Sequence, residues 1–277
     1  VTAKQRKRAD SSLPGKTHIV IPDVQAKPGV PLDHLKWIGQ YVADKKPDEL
    51  ICLGDFWDMP SLSSYDKGKK SFEGRRFKAD VEAGRKAMDL LMTPIKKMRR
   101  PPRLAFCLGN HEERIHRAIE QDAVLEGTIG YQDLGLAQYG WRVFDFLQPI
   151  SIDGVRYCHF FPQGPTGLIT QTKRGSPSAI VQLQRLGQSS VAGHQQGLSI
   201  SNRPFRGILQ WGIIAGSCYL HDEDYLSPMG NTHWRGILIL HQVKDGAMSP
   251  TPVDLEYLAW RYARKPLSTF RPKTPNR

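Results

Sequence analysis

The sequence predicts an α/β protein, with mixed β-sheets facing each other and helices on the outside. Three observations lead there. Short apolar runs rich in Val and Ile stop at a Gly-polar or Pro-Asp step. In the first half these runs alternate with longer amphipathic stretches, which reads βαβαβ. In the second half the spacing shortens and Asp-Gly turns appear, which signals hairpins.

The elements follow in order. Thr17–Pro22 (THIVIP) is β-branched and apolar and ends at Pro22-Asp23. Residues 31–44 place Leu32, Leu35, Ile38 and Val42 at helical spacing, with Pro31 suited to the first turn. Glu49–Leu53 is a second strand, ending in Gly54-Asp55. Residues 77–99 carry Phe77, Val81, Met88, Leu91 and Ile95 among charges, a long helix with an interruption expected at Pro94. Leu104–Leu108 is a third strand, ending in Gly109-Asn110, and a helix through Ile115 and Ile119 follows. Pro149–Ile152 and Val155–Phe160 flank Asp153-Gly154 as a hairpin. Residues 178–186 read as a short helix, and Ser190–Ala192 as a strand ending in Gly193-His194. Gly207–Ala215 and Gly236–Val243 complete the strands, the latter turning at Asp245-Gly246.

Composition narrows the class. In 277 residues, 39% are hydrophobic and 24% charged, which a globular core requires and a disordered chain lacks. No apolar run approaches the roughly 20 residues of a membrane helix, so no membrane role is expected. VTAKQRKRAD has a basic stretch with nothing apolar behind it, unlike a secretory signal, and Val1 in place of Met implies a processed or trimmed start. Cys52, Cys107, Cys158 and Cys218 each sit in an apolar run without CxxC spacing. They read as buried thiols of a reducing, cytoplasmic compartment rather than a disulfide framework.

The net charge of +12 is unevenly spread. Residues 1–16 form a basic N-terminal tail, with Lys4, Arg6, Lys7, Arg8 and Lys16 against Asp10. Residues 261–277 hold Arg261, Arg264, Lys265, Arg271, Lys273 and Arg277 with no acid, and with Pro266, Pro272 and Pro275 they are expected to be a flexible tail. The body is then 17–260, and within it residues 67–103 carry thirteen Lys and Arg against four acids. This polarity suits a polyanionic partner such as nucleic acid. A protein partner and the oligomeric state stay open.

Four strands end in polar residues of metal-binding type. They are Asp23-Val24-Gln25, Gly54-Asp55-Phe56-Trp57-Asp58, Gly109-Asn110-His111-Glu112 and Gly193-His194-Gln195-Gln196, with His159 in the hairpin strand. Loops at the carboxyl ends of such strands converge on one crevice. Any one piece alone is a cap or a surface group, whereas the ordered set points to one site.

That set resembles the calcineurin-like metallophosphoesterases, whose pattern runs DxH, GDxxD, GNH followed by an acid, a separate His and GHxH. The likeness spans roughly residues 17–240, and GDFWD and GNHE match without alteration. It implies a four-layer αββα sandwich of two mixed sheets binding two divalent metals. By resemblance one metal site is Asp23, Gln25, Asp55 and Gln196, the other Asp55, Asn110, His159 and His194, with Asp55 bridging. Gln25 and Gln196 stand where the family has histidines, and both fall in the first site. Two Gln and two Asp form an all-oxygen site that favours Mn²⁺, or Mg²⁺, over Zn²⁺ or Fe, which the histidine-bearing site could take. Both replacements are long amides able to coordinate, which reads as a change of metal preference; partial loss of activity is the alternative. The same Gln-for-His pattern resembles phage and prophage members of the family.

The resemblance further implies attack on phosphorus by a metal-bridging hydroxide, with His111 as general acid and Asp58 orienting it. Arg114 and His116 are candidate substrate-phosphate contacts. His18 and His34 read as structural, His221 to Asp224 as an acidic loop, and Trp57 as either a base-stacking surface or core. The family hydrolyses mono- and diesters. GNHE is shared with Ser/Thr protein phosphatases, but Met59-Pro60 follows Asp58 where those have Arg-Gly. The basic segments favour a nuclease or phosphodiesterase on DNA or RNA, similar in chemistry to SbcD-type repair nucleases. A small-molecule or protein phosphomonoesterase, and a catalytically weakened nucleic-acid-binding protein, remain as alternatives.

Overall fold

The computed structural model describes residues 15–162, 178–223 and 230–272, apart from the side chain of Ser71. Two mixed sheets pack face to face. The first contains β1 (Lys16–Ile21), β2 (Glu49–Cys52), β3 (Arg103–Cys107), β4 (Arg142–Phe144), β10 (Gly236–Lys244) and β11 (Ala247–Asp254), in the order β11-β10-β1-β2-β3-β4. The second contains β5 (Ile150–Ile152), β6 (Val155–Cys158), β7 (Ser190–Ala192), β8 (Leu198–Phe205) and β9 (Ile208–Ala215), in the order β5-β6-β7-β9-β8. β1 to β4 run parallel, as do β6, β7 and β9.

The layers follow from the period-two alternation of the strands. Ile19, Ile21, Leu50, Cys52, Leu104 and Phe106 join one core, shared with α1 (Asp33–Lys45), α2 (Phe77–Lys96) and α5 (Leu255–Ala263). The residues between them, Val20, Ile51, Leu53, Ala105 and Cys107, join a second core with Tyr157, Val191, Ile213 and Ala215 of the other sheet. The central strands are therefore apolar on both sides, which is why they stand out as continuous runs. α3 (Arg114–Gln121) follows β3. α4 (Ala179–Leu186) covers the second sheet, where Gln182 Nε2 donates to the carbonyls of Ser190 and Ile213. The result is the four-layer αββα sandwich expected from sequence.

Asp153-Gly154 and Asp245-Gly246 are both left-handed turns, with φ of 49° and 82° and of 50° and 85°. They meet across the sandwich, the Gly246 N–H donating to Asp153 O at 3.0 Å. All four cysteines are free and buried. No helix among the described residues is long and apolar enough to cross a membrane.

Several expectations change. Helix α1 starts at Asp33, leaving Pro31 outside its first turn, and α2 continues through Pro94 to Lys96. Pro94 leaves the Leu90 carbonyl one turn back without its helical N–H partner, and the helix ends two residues later. Chain order does not break at 260. Helix α5 runs to Ala263, Phe270 packs edge-on against Trp37 at 4.7 Å, and Arg271 pairs with Asp222. Residues 261–272 of the expected tail thus include the end of a helix and side chains that contact the body. Residues 1–14 and 273–277, and Asp224 of the acidic loop, lie outside the described residues. Trp57 is fully buried between Phe56 and Phe106, so it packs in the core and has no face for a base.

The Trp57 indole also explains Gly84 in α2. A Cβ at position 84 would lie 1.7 Å from Trp57 Nε1. Gly84→Ala is therefore expected to destabilise the fold by about 1–3 kcal/mol through overpacking, read as a lower urea midpoint with an unchanged m-value.

Candidate metal centre

The residues singled out in sequence meet at one end of the sandwich. Asp23 leaves β1, Asp55 leaves β2 and Asn110 leaves β3, while His159 and His194 leave β6 and β7 of the facing sheet. Three of the expected ligands are in the left-handed region: Gln25 at φ 47°, Asp55 at 48° and His194 at 65°. Such conformations cost about 1–3 kcal/mol each and persist only when surroundings impose them. Here Asp55 O accepts the N–H groups of Val24 and Gln25 at 3.0 and 2.8 Å, tying the first two loops together. The third loop can approach because positions 54 and 109 lack side chains. A Cβ on Gly109 would sit 2.2 Å from Asp55 Oδ1, and one on Gly54 2.5 Å from Gly109 N.

Glu112, the acid of the GNHE run, organises this junction. It is fully buried and accepts four backbone N–H groups: Asp55 at 2.9 Å, Phe56 at 2.7 Å, Trp57 at 2.9 Å and Gly109 at 2.8 Å. Four donors gathered on one carboxylate hold the GDFWD turn in shape and leave Asp55 facing the pocket. Its position in the sequence carries no hint of partners 55 to 57 residues away, which is why its role could not be read there.

Inside the pocket, lone pairs converge. The His159 Nδ1–H donates to Leu53 O at 2.8 Å, which turns Nε2 inward. That nitrogen lies 2.8 Å from Asn110 Oδ1 and 3.3 Å from Asp55 Oδ2. His194 Nδ1 lies 2.7 Å from the same Asn110 oxygen. Donor atoms of Asp55, His159 and His194 all fall within 4.8 Å of one another. Neutral His159 would set its lone pair against two acceptor oxygens, so the cluster calls for a positive charge at its centre. The titration behaviour says the same. Burial alone would lower His159, but Asp55 outweighs it and raises the ring to about 9. Burial would raise Asp55, yet His111 and His159 hold it far below the usual carboxylate range. Burial lowers His194 to about 4, with His159 adding to the effect.

The other expected site is less closed. Asp23 is fully buried, and its Oδ1 accepts the His194 N–H at 3.0 Å. Among the described residues its Oδ2 and the Oε1 of buried Gln25 have no hydrogen-bond partner, an arrangement that suits a cation and otherwise carries a penalty. Burial lifts Asp23 to about 7. Gln196 Oε1 accepts the Tyr219 hydroxyl at 2.6 Å. The donor set of Asp55, His159 and His194 thus fits a divalent cation.

His111 lies beside this cluster. Its N–H donates to Asp55 Oδ1 at 2.9 Å, and its Nδ1 lies 2.9 Å from both Asp58 O and Asp58 Oδ1. Burial would lower the ring, but Asp55 and Asp58 outweigh it and raise it. Asp58 itself is held well below the usual range, against burial, by His111 and Lys27. Arg114 Nη1 donates to the carbonyls of Asp58 and Met59, and its Nη2 lies 3.2 Å from His111 Nε2. A cleft of about 820 Å³ opens from here, lined by Asp58, His111 and Arg114 on one side and by Tyr65, Arg75 and Arg76 on the other.

The phosphate contact expected of His116 is not supported. Its half-exposed ring lies 3.4 Å from Glu113 and 3.8 Å from Glu120, two carboxylates that would repel an anion. His18 is structural as expected, bonded to Tyr157 and Asp153, and His34 is buried in α1. The described part of the acidic loop is paired off: Asp222 with Arg235 and Arg271, Glu223 with Lys27 and His221.

The gene 54 proteins of Mycobacterium phages L5 and D29 are similar to this chain, at 27% identity over 184 and 193 residues, covering 65% of it and 68% of each relative. The solved structure of YfcE, a phosphoesterase from E. coli, aligns with 86% of this chain and 99% of its own, at 14% identity and a TM-score of 0.37. No family model matches the chain.

Glu112→Gln would turn an amide NH₂ toward the backbone donors the carboxylate now satisfies. A loss of about 3 kcal/mol in unfolding free energy is expected. Chemical denaturation measures it, and a loss below about 0.5 kcal/mol would show that the turn holds without the carboxylate.

Proposed function

We propose that this chain is a dinuclear-metal phosphoesterase of the calcineurin-like class that hydrolyses phosphodiesters of nucleic acid, with His111 as the proton donor. The observation that carries this reading is the meeting of Asp55 Oδ2, His159 Nε2, His194 Nδ1 and Asn110 Oδ1 beside His111. Asp55, Asn110, His159 and His194 would hold one cation, and Asp23, Gln25, Asp55 and Gln196 the other, with Mn²⁺ favoured by the oxygen-rich set. When bound, such a pair supplies Lewis-acid activation of water and neutralises charge on the phosphoryl group.

The chain's own residues then have distinct tasks. The Asp58 carbonyl accepts the Nδ1–H of His111, with the Asp58 carboxylate at the same distance, and so leaves Nε2 to serve the leaving oxygen. Arg114 Nη2 sets a fixed cation beside Nε2. A phosphoryl oxygen that accepts from Arg114 frees Nε2 to carry the proton it donates. Buried Asp23 and Asp55 hold the negative charge that the cations require. The +9 segment, residues 67–103, supplies Arg76 to the cleft that starts at His111, where Arg75 is already paired with Asp66. This placement supports a polyanionic substrate, whose backbone phosphates such cations contact. The likeness to mycobacteriophage proteins supports a phage-type enzyme working in the host cytoplasm.

The test is incubation with Mn²⁺ and bis-p-nitrophenyl phosphate, p-nitrophenyl phosphate and linear DNA. Cleavage of DNA and the diester supports the proposal. Monoester preference with intact DNA would make it a phosphomonoesterase, and silence on all three with intact DNA binding would make it a binding protein. His111→Ala is expected to lower turnover of DNA about 10²–10⁴-fold with metal content unchanged; a drop in metal content would make His111 a ligand instead.

Salt tests the partner. Replacing Arg6, Lys7 and Arg8 by Gln should flatten the dependence of log DNA affinity on log salt by about 0.9 for each phosphate that is no longer neutralised. An unchanged slope would show that these side chains touch no phosphate.

A further inference from the structure

Lys27 stands two residues beyond Gln25, and nothing in its sequence setting separates it from the other cations. In the fold it is held on three sides. Its Nζ lies 2.9 Å from both Oε1 and Oε2 of Glu223 and 3.0 Å from Asp58 Oδ2. Asp58 Oδ1 is the atom that meets His111 Nδ1 at 2.9 Å. Glu223 is fixed in turn: its Oε1 lies 2.7 Å from His221 Nε2, its N–H donates to Asn231 Oδ1 at 2.9 Å, and its carbonyl accepts from Asn231 Nδ2 at 3.1 Å. An unbroken run of contacts therefore leads from His221, Glu223 and Asn231 through Lys27 and Asp58 to His111.

We propose that Lys27 is a positioning residue for proton donation by His111, and that Glu223 acts through it. This role rests on His111 being the proton donor. The physical reason lies in the two oxygens of Asp58. With Oδ2 on the ammonium, the carboxylate plane cannot swing, and Oδ1 stays on the imidazole. Without the ammonium, Arg114 Nη1, already 3.6 Å from Oδ1, becomes the nearest cation and competes for the oxygen that His111 needs. The Glu223 and Asp58 carboxylates would also face each other with no charge between them. The ammonium lies between two carboxylates, engaging both oxygens of Glu223 and Oδ2 of Asp58, so it holds the two apart and in place. An ordinary surface ion pair has no such geometry, and the Lys27 side chain is only 21% exposed.

Positioning of a proton donor has a signature that plain structural damage lacks. A p-nitrophenolate leaves without being protonated, whereas a nucleoside or alkyl alkoxide needs the proton. Lys27→Met is expected to lower kcat on a nucleoside ester about 10–100-fold with KM nearly unchanged, and to slow the matching p-nitrophenyl ester less than about 3-fold. Lys27→Arg should restore most of the rate. Independently of activity, the His111 Nδ1–H resonance seen by NMR in the Mg²⁺-loaded wild-type protein should shift upfield in Lys27→Met, at unchanged metal content, as the proton passes from the carboxylate to the Asp58 carbonyl. Equal slowing of both esters, or an unshifted resonance, would overturn the proposal. His111→Ala separates the two claims. If it too slows both esters equally, the proton-donor reading has failed and the role of Lys27 falls with it. If it discriminates and Lys27→Met does not, only the inference about Lys27 fails.

Discussion

A buried carboxylate facing two imidazoles governs this end of the molecule. Asp55 is almost without solvent, and its charge survives there only because His111 and His159 stand against it. The same arrangement turns His159 Nε2 and Asn110 Oδ1 into a space that Asp55 Oδ2 already occupies in part. Acceptors gathered so closely repel one another unless a proton or a cation lies between them. The pocket is therefore unfavourable by itself and favourable as a binding site, which is how a fold prepares for a metal rather than merely tolerating one.

The cost of that arrangement is met by backbone organisation outside the pocket. Left-handed Asp55 and His194 bring their side chains to one centre, and the backbones of Gln25, Asp55 and His194 are each pinned by a bond from another loop. Glu112 supplies the largest share, with four N–H groups on one carboxylate. Lys27 performs a related task on the other flank, where it separates Asp58 from Glu223 and connects His111 to a loop far along the chain. The candidate ligands and the carboxylates around them are thus layered, with the strained groups innermost and the satisfied carboxylates behind them.

The scaffold makes this convergence possible. Parallel strands β1, β2 and β3 deliver three loops to the same edge, and β6 and β7 deliver two more from the facing sheet. Two-sided burial of these strands keeps the edge rigid. The cleft grows outward from it along residues 60–76, where short 3₁₀ turns replace regular helix and bring Arg75 against Asp66 and the Pro60 carbonyl. That segment gives the site its width, since the metal-ligand loops by themselves are compact.

How much was legible in sequence depended on whether the signal was local. Central strands such as THIVI and ELIC announced themselves because both faces are buried. Three strands that pattern reading passed over, β4, β8 and β11, are sheet edges: β11 carries Pro250 and Pro252, β8 carries Pro204, and β4 is three residues long. An edge strand tolerates proline and polar side chains because its outer donors need no partner, so its pattern is weak. The sequence by itself determined the two-sheet class, the order of the polar strand ends and the candidate ligands. Tertiary structure alone decided that Glu112 holds the Asp55 turn, that Lys27 stands between Asp58 and Glu223, that Trp57 is core and that His116 turns toward acids. Those outcomes depend on which distant atoms share a few cubic ångströms, and no periodicity along a chain encodes that.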